Sequence, residues 1–401
     1  MKIVTLLLLT IWTLFKCSTG IAQVNTCPVM GDFDLEIRET NPRVDGYHHI
    51  NTPLLIQRLI NARMNSYMYL IQHSPATDWS DFVNEFMPAA QIAGLNIWIF
   101  LVPPSEGGPI YPYNTASGYS IDSAYVTWAR AIAVQANNFS NIKGFIIDDF
   151  NSNLSVFTPS FVLHMRQEAR AICPSLTLDV INYYEDITSN WLFDYANCID
   201  GIVFPYTDLD SSASLLNQIT NIQLLITSGG FEESTSGVPD NINTKKLSLI
   251  VIIYAFPTSW HPVPPTTNYI RECLSIVHLA VTDSLANGMV TYCLDKSTDT
   301  STNYVAVKDL YTQWQCSSGI QVFGNAESML KIYPNPAGSI ITIESRQPEV
   351  IEISNMQGQV IKTLALKGHK TNIDISVFPD GLYTIKAITD GKIAVQGFIK
   401  Q

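Results

Sequence analysis

Basic side chains are scarce in this sequence. Lys and Arg number 23 against 35 Asp and Glu, the formal net charge is −12, and only 14% of the residues are charged. The basic residues form no run, which disfavours nucleic acid as a partner, because phosphate backbones are held by clustered Lys and Arg. An acidic polysaccharide would require a similar basic patch. The composition therefore favours a neutral partner.

Long apolar runs are missing after the first few residues. Residues 1–22 combine Lys2, an apolar stretch over 3–15 and small residues near position 20. This pattern predicts a secretory signal peptide that is removed from the mature chain. No later stretch reaches the roughly 18 apolar residues of a membrane-spanning helix. We therefore expect no transmembrane segment and a secreted or cell-surface protein.

Cysteines are few and show no metal-binding spacing. Of seven in all, one lies in the predicted signal peptide, and no CxxC pair occurs among the others. A zinc site built from them is disfavoured. An oxidising compartment makes disulfides plausible, and buried free thiols are the alternative. The pairings considered are Cys27 with Cys316, Cys173 with Cys198, and Cys273 with Cys293.

Several catalytic motifs are also missing. The sequence has no GxGxxG after a predicted strand, no P-loop, no GxSxG and no HExxH. These absences disfavour dinucleotide enzymes, P-loop NTPases, serine hydrolases of the nucleophile-elbow type and zincins. No cofactor and no metal is expected. A metal site made by His73, Asp148 and Asp149 is a minor alternative.

Two regions of different texture are present in the 401 residues, enough for two domains. Residues 24–316 alternate apolar runs with amphipathic stretches, 317–329 form a small polar linker, and 330–401 are short strand-like runs separated by turns. The apolar runs of the first region are predicted strands: 47–50, 67–72, 97–103, 145–149, 176–182, 201–205, 249–256 and 289–294. The predicted helices are 54–63, 81–93, 123–137, 159–172, 211–219 and 269–285.

Alternating strands and helices of this number predict an α/β fold, a (β/α)8 TIM barrel, followed by a small all-β sandwich. An open doubly wound sheet is the competing architecture. In TIM barrels the active site lies at the C-terminal ends of the strands. The fourth predicted strand runs through Phe145, Ile146 and Ile147 directly into Asp148 and Asp149. Two adjacent carboxylates repel each other, which makes this strand end a predicted active-site position.

Paired carboxyl groups are the machinery of glycoside hydrolysis, one as the acid and another as the nucleophile or base. Successive strand residues face opposite sides, so only one of the two aspartates points to the barrel axis. We expect Asp149 to be the acid/base or nucleophile, Asp148 to orient it, and Glu185 to be the second catalytic carboxylate. The predicted substrate-binding residues are His49, His73, Glu106, Tyr183, Tyr206, Asp208, Tyr254, Trp260 and Asp295. Plain packing is the alternative for each aromatic residue and each histidine.

The C-terminal region resembles the sorting domain of the type IX secretion system of Bacteroidetes. The matching pieces are KIYPNPAGSIITI, ISNMQGQVIKT, FPDGLYTIKA and the terminal GFIKQ. The resemblance implies a β-sandwich over 330–401 that interacts with the type IX secretion machinery.

The body is similar to secreted barrels of glycoside-hydrolase type, through DGYHHINTP, LVPPSE, IKGFIIDDFNSNLSVFTP and MVTYCLDK. Its fourth strand end also resembles family 18 chitinases, whose pattern is DxxDxDxE. Here Gly144 to Asn151 reads GFIIDDFN, without the terminal Glu, so that mechanism is not carried over. The predicted function is a secreted glycoside hydrolase acting on an extracellular poly- or oligosaccharide. The alternatives are a non-catalytic carbohydrate-binding or adhesion barrel and a metal-dependent hydrolase.

Overall fold

The computed structural model describes residues 27–72, 74, 76–228, 247–314, 330–335, 337–345, 350–355, 359–366, 368–389 and 392–400. The predicted signal peptide 1–22 and linker 317–329 lie outside the described residues, as do His73 and Cys316.

Eight parallel strands close into a barrel in the order β1 to β8, each paired with its neighbours in the chain and β1 with β8. This confirms the predicted (β/α)8 fold. The strands are β1 Val29–Phe33, β2 Ser66–Leu70, β3 Asn96–Leu101, β4 Ile142–Ile147, β5 Thr177–Ile181, β6 Gly201–Tyr206, β7 Ser248–Tyr254 and β8 Gly288–Tyr292.

The first strand was predicted in the wrong place. Residues 47–50 lie in the loop after β1, where Ile50 makes only an isolated bridge to Arg38. The true β1 has the sequence VMGDF, whose glycine is unfavourable in a strand by propensity. Packing requires it, because a Cβ at Gly31 would lie 2.5 Å from the Ser66 carbonyl oxygen on β2.

Helices follow the strands and cover the barrel. Their starts are set by side chains that accept a backbone N–H, among them Asn51, Ser120, Thr158 and Thr266. The helices are α1 Thr52–Asn61, α2 Asp78–Asp81, α3 Met87–Ile92, α4 Ile121–Asn138, α5 Pro159–Arg170, α6 Ser189–Tyr195, α7 Leu215–Ser228, α8 Thr267–Thr282 and α9 Thr302–Gln313; a π-helical turn, Phe82–Phe86, joins α2 to α3. Of these, α6 and α9 were not predicted.

The pleat of the strands separates two cores. On β4, Phe145 and Ile147 pack outward in the core shared with the helices, whereas Ile146 belongs to the core inside the barrel. The inner core also contains Phe33, Met68, Leu70, Trp98, Phe100, Val102, Ile181, Val203, Ile250, Ile252 and Val290. Because side chains alternate along a strand, Asp148 continues the inward phase of Ile146.

The C-terminal region consists of two antiparallel sheets, in the orders β13-β10-β9 and β12-β11-β14-β15. Both contribute to one apolar core, with Ile341 and Ile373 from the first sheet and Ile351 and Ile385 from the second. The predicted β-sandwich is confirmed. Its strands are β9 Leu330–Tyr333, β10 Ile340–Ser345, β11 Val350–Ser354, β12 Val360–Ala365, β13 Lys370–Asp374, β14 Gly381–Thr389 and β15 Lys392–Lys400.

Two of the three disulfide pairings considered are wrong. Cys173, Cys198, Cys273 and Cys293 are all buried, and none of the four is disulfide-bonded. They behave as small apolar core residues, which suits their positions under the helices and at the end of β8. The pairing of Cys27 with Cys316 stays a prediction, because Cys316 lies outside the described residues.

None of the helices in the described ranges is long and apolar enough to span a membrane.

Candidate active site

The C-terminal ends of the barrel strands bring carboxyl groups and aromatic rings to one face of the molecule. They lie at the ends of β3, β4, β5 and β7, which the sequence analysis named through Glu106, Asp148, Asp149, Tyr183, Tyr254 and Trp260, and at the ends of β1 and β8. We call this set of residues the mouth: Asp34, Glu106, Asp148, Asp149, Tyr183, Tyr254, Trp260 and Tyr292.

Asp148 points into the barrel from the end of β4 and retains part of its surface accessible to solvent. Burial raises the pKa of its carboxyl well above the ordinary range, and the Glu106 and Asp149 carboxylates raise it further. The Asp149 backbone N–H donates to Asp148 Oδ1 over 2.8 Å. This hydrogen bond lowers the pKa of Asp148, but by less than burial and the two carboxylates raise it. This raised pKa favours the protonated form of Asp148, the form in which a carboxyl group can give up a proton.

Asp149 adopts a left-handed backbone conformation, with φ 38° and ψ 46°. This conformation costs a residue with a Cβ on the order of 1–3 kcal/mol, and Asp tolerates it better than most residues. The turn interrupts the pleat, so Asp149 does not simply face away from Asp148. Tyr183, after β5, donates its hydroxyl to Asp149 Oδ1 over 2.7 Å.

A pair of tyrosines supports this carboxylate. Burial and the neighbouring Tyr254 raise the pKa of Tyr183, and its bond to Asp149 raises it further. Tyr254 on β7 is hydrogen-bonded to Tyr183, and burial followed by Asp148 and Asp149 raises its pKa. Both phenols stay neutral and can donate. The chain Tyr254, Tyr183, Asp149 thus fixes a carboxylate beside a carboxylic acid.

Asn153 locks the backbone of this turn, and the sequence analysis gave it no role. Its side-chain amide donates to the Asp149 carbonyl over 2.9 Å and to Ser105 Oγ over 2.8 Å. Its Oδ1 accepts the Ser105 backbone N–H over 2.9 Å. One buried amide therefore joins the ends of β3 and β4. The sequence signal is weak, because an Asn four residues after the aspartates is common in a turn.

Glu106 lies on the rim of the mouth, at the end of a 3₁₀ turn over Pro104–Glu106. Gly107 ends this turn with φ 89°, and a Cβ at Gly108 would lie 1.9 Å from the Val102 carbonyl oxygen. These two glycines allow the loop after β3 to turn back and pack closely against the end of that strand. Although Glu106 is solvent-exposed, loss of part of its hydration and the Asp149 carboxylate raise its pKa. Glu106 is thus the carboxyl group that the structure brings to the aspartate pair.

Aromatic rings line another side of the mouth. Trp260, 55% exposed, meets Tyr254 edge to face with ring centroids 5.7 Å apart. Tyr254 also contacts Tyr292, with centroids 5.0 Å apart. Below them Phe33 stacks on Phe100 inside the barrel. The mouth therefore has an apolar floor and one exposed indole at its edge.

Four predicted site residues lie apart from this group. Glu185 is solvent-exposed in the turn after β5. Asp208 and Asp295 each accept backbone N–H groups of their own turns, from Ser211 and from Ser297. Tyr206 is fully buried, and its hydroxyl bonds the Ser211 carbonyl and Ser214 Oγ. It continues the outward phase of β6, so we do not include it or the three carboxylates in the site.

His49 belongs to a separate cluster in the loop after β1. Its Nδ1 bonds Asp81 Oδ1 over 2.6 Å and its Nε2 bonds Asp45 Oδ2 over 2.8 Å. Burial lowers the pKa of His49, but these two bonds outweigh it and the net shift is upward. With Glu85 the cluster has the donor types of a metal site, yet the Arg43 guanidinium already bonds both Glu85 oxygens. His49 therefore connects the loop after β1 to Asp81 of α2. The other predicted histidine, His73, lies outside the described residues.

Asp34 is a carboxyl group of the mouth that sequence reasoning missed, because the first strand was misplaced. It follows β1 directly and is only 7% exposed. Its charge is among those that raise the pKa of Asp148. The only signal in the sequence was the alternation of acidic and apolar residues over 32–34. That stretch is too short to identify a strand by itself.

The C-terminal region matches a known family. Residues 331–401 match the family described as the secretion system C-terminal sorting domain. The match confirms the resemblance seen in the sequence and indicates export, with release or attachment at the cell surface. No curated protein matches the chain.

Solved structures similar to this one include glycoside hydrolases. A modular endo-β-1,4-mannanase of glycoside hydrolase family 26 from Cellulomonas fimi has a TM-score of 0.46 at 10% identity, covering 93% of this chain and 94% of that one. Bacteroides uniformis β-glucuronidase 2 has a TM-score of 0.45 at 9% identity over 93% of this chain. The present chain spans only 45% of that enzyme's length. At such identities the likeness concerns the fold, and no activity is transferred from it.

Proposed function

We propose that the barrel is a glycoside hydrolase that cleaves an uncharged extracellular glycan at the mouth. The observation that carries the proposal is Asp148: an inward-facing carboxyl group at the end of β4, crowded by two further carboxylates and half-buried. Such crowding separates the pKa values of neighbouring carboxyl groups and keeps one of them protonated. Glycoside hydrolysis requires this division between an acid and a carboxylate.

In this proposal Asp148 donates the proton to the glycosidic oxygen as the bond to the leaving sugar breaks. Its raised pKa supplies the protonated form, and its accessible surface faces the space above the barrel core. The roles of the two aspartates are thus exchanged relative to the sequence expectation, since the inward phase of β4 belongs to Asp148.

Asp149 is the ionised partner, acting as the nucleophile or as the base that activates water. Tyr183 holds one of its oxygens, and Asn153 holds its backbone carbonyl. A carboxylate fixed from both sides loses little freedom when the substrate binds, which favours reaction from a defined geometry. Glu106, on the rim after β3, is the alternative partner of Asp148. Variants of Asp149 and Glu106 distinguish the two possibilities.

Sugar rings would stack on the exposed face of Trp260 beside Tyr254. Apolar faces of pyranose rings suit flat indole surfaces, and an exposed aromatic at a concave site is a common recognition element. The mouth carboxyls make the site unsuited to uronic acid residues, since a further carboxylate would be repelled.

The experiment is a screen of the full chain on neutral and uronate-containing glycans, with released reducing ends as the readout. Asp148→Asn, Asp149→Asn and Glu106→Gln are assayed in parallel, and Asp309→Asn, on the outer face of α9, is the matched control. Turnover of a neutral glycan that is lost in Asp148→Asn, but kept in Asp309→Asn, supports the proposal.

Binding of a glycan without turnover in any condition would replace the hydrolase by a carbohydrate-binding barrel. Turnover that persists in Asp148→Asn and disappears with a chelator would favour the metal-dependent alternative. The anomeric configuration of the first product then assigns the role of the partner carboxylate, since retaining and inverting enzymes place the two groups at different separations.

A further inference from the structure

The loop after β1 folds back on itself as a hairpin, which we call the arm (residues 36–51). The Glu39 N–H donates to the His49 carbonyl over 2.9 Å. Nearer the tip, the Arg43 N–H donates to the Tyr47 carbonyl over 2.9 Å. These backbone bonds hold the two limbs of the arm together. Because it follows β1, the arm leaves the barrel on the same face as the mouth.

Acidic and basic side chains fasten the arm to the helical segment that follows β2. Three acids are spaced there by three and then four residues, which places them along one side of α2 and the π-helical turn. Each of them bonds a basic side chain of the arm. The pairs are Arg38 with Asp78 at 2.8 Å, His49 with Asp81 at 2.6 Å, and Arg43 with Glu85 at 3.0 Å. The arm is thus held to this segment at three points.

His49 lies between two carboxyl groups, and both of its ring nitrogens are engaged. Nδ1 lies 2.6 Å from Asp81 Oδ1, and Nε2 lies 2.8 Å from Asp45 Oδ2. A neutral imidazole has a single N–H, and an ionised carboxylate can only accept. Two protons are therefore needed to satisfy the two contacts, wherever in the three groups they reside. When one proton is lost, two lone pairs face each other across one of the contacts.

The surroundings of His49 favour the form with both protons. Within the described residues, the charged groups that face its ring come from the arm, from α2 and from the π-helical turn: Glu39, Arg43, Asp45, Asp81 and Glu85. Burial and Arg43 lower the pKa of His49, but Asp81 and Asp45 raise it by more, so the net shift is upward. Loss of the proton leaves these four carboxyl groups around a single guanidinium.

We propose that the arm is a pH-sensitive strap, which stays closed on α2 and the π-helical turn while His49 and its two carboxyl partners hold both protons, and which opens more often once one proton is lost. Arg38 and Arg43 keep their charge throughout, so they hold the arm without sensing pH. The contribution of His49 to the closed arm is complete below the ordinary pKa of histidine, about 6.5, and is lost as pH rises through the raised pKa. The proposal concerns the arm alone and does not rest on glycan cleavage.

The bond between Arg43 and Val44, at the tip of the arm, reports opening. Val44 is fully exposed. The Arg43 guanidinium is bonded to Glu39 and Glu85, so it can enter the specificity pocket of trypsin only when the arm opens. The test is tryptic cleavage of the full chain at several pH values, with this bond followed by mass spectrometry and its rate divided by that of a free peptide of residues 36–51. The corrected rate should rise by up to about tenfold per pH unit between about pH 6.5 and the raised pKa of His49, and level off above it.

Asp45→Asn tests the proton count directly. Its amide can donate to Nε2 of a neutral His49, while its oxygen keeps the bond that Asp45 Oδ1 accepts from the Tyr47 N–H. One ring proton then satisfies both contacts, so the rise of the corrected rate with pH should disappear. The matched control is His48→Asn, because the exposed His48 meets the Glu39 carbonyl through Nδ1 rather than a carboxyl group. That variant should keep the rise.

Cleavage after Arg130, within α4, reports unfolding of the barrel and should not follow the same pH profile. A corrected rate that is constant with pH in the unmodified chain, or a tip that resists trypsin at every pH, would overturn the inference. A rise that persists in folded Asp45→Asn would do the same. Because the readout needs no substrate, a negative glycan screen would bear only on the proposed function.

Discussion

Two inward-facing aspartates in the same barrel have opposite surroundings. Asp179, deeper on β5 and 2% exposed, accepts bonds from Trp98 Nε1 over 3.1 Å and from Thr177 Oγ1 over 2.9 Å. Asp148, at the mouth, receives one backbone N–H and is crowded by carboxylates. Two side-chain donors thus reach Oδ2 of the first, whereas like charges surround the second.

The difference separates structural acids from candidate catalytic ones. A buried carboxyl group is stabilised by donors, and the two bonds to Asp179 Oδ2 offset part of the cost of burying it. Crowding by like charges destabilises the ionised form and has no structural benefit. Asp148 is thus the candidate catalytic acid of the two. The degree of burial alone would not distinguish it from Asp179.

The largest expected effect comes from Asp148→Asn. Loss of the proposed proton donor should reduce turnover about 10³-fold, since general acid catalysis contributes about 10²–10⁴. The fold should be kept, because Asn fills the same space and can still accept the Asp149 N–H. Initial rates and thermal unfolding of the same preparation check both statements. Full activity in the folded variant would remove Asp148 from the site.

The same aspartate predicts a pH dependence of stability. The folded-state pKa of Asp148 lies above the unfolded value, so the folded chain holds this proton more tightly. Its contribution to stability is therefore complete below the unfolded pKa, about 3.9, and is lost as pH rises through the folded pKa. Asp148→Asn should gain in free energy of unfolding, relative to the unmodified chain, as pH rises. Urea denaturation at several pH values measures this, and a free energy of unfolding that falls with pH in the variant relative to the unmodified chain would contradict it.

Lys296→Met should have the largest effect on stability. It leaves Asp32 buried on the outward face of β1 without its partner, which costs about 3–5 kcal/mol for a broken buried pair. Burial already raises the pKa of Asp32 against the opposing effect of Lys296. The loss should shrink at low pH, where Asp32 can be protonated, and in the double variant with Asp32→Asn. Chemical denaturation of the two variants measures both effects.

Asp179→Asn is the direct counterpart of Asp148→Asn. The same substitution at Asp179 should lower the free energy of unfolding by about 1 kcal/mol, because an amide replaces the carboxyl group that accepts the bonds from Trp98 and Thr177. Turnover should stay within twofold at a temperature where the variant is folded. If activity fell as far as in Asp148→Asn, the contrast between the two aspartates would not hold.

The smallest expected effect belongs to Trp260→Ala. Removing an exposed ring at the rim should weaken glycan binding by roughly five- to tenfold, equivalent to about 1 kcal/mol, with little change in unfolding temperature. Isothermal titration with the glycan identified by the screen measures it. An exposed aromatic away from the mouth, Phe193→Ala on α6, provides the control.

Much of the barrel was predictable because its strands are near-continuous apolar runs of regular spacing. The prediction failed at β1, where Gly31 is dictated by the approach of Ser66, a contact with no local sequence signal. That error hid Asp34. Tyr206 and Asp295 each bond the turn that follows their strand, and their roles in substrate binding stay predictions.

The sequence by itself determined the eight-unit barrel, the sorting domain and the acidic end of β4, because these follow from local periodicity and contiguous motifs. Only the tertiary structure decided which aspartate faces the axis, since the closing of the barrel sets which side chains of β4 lie inside it, and the left-handed residue at 149 ends that alternation. It also decided that Glu106 rather than Glu185 approaches the pair, because two loops far apart in the chain are joined there by Asn153. Charges interact through space, and their neighbours are set by how the chain closes.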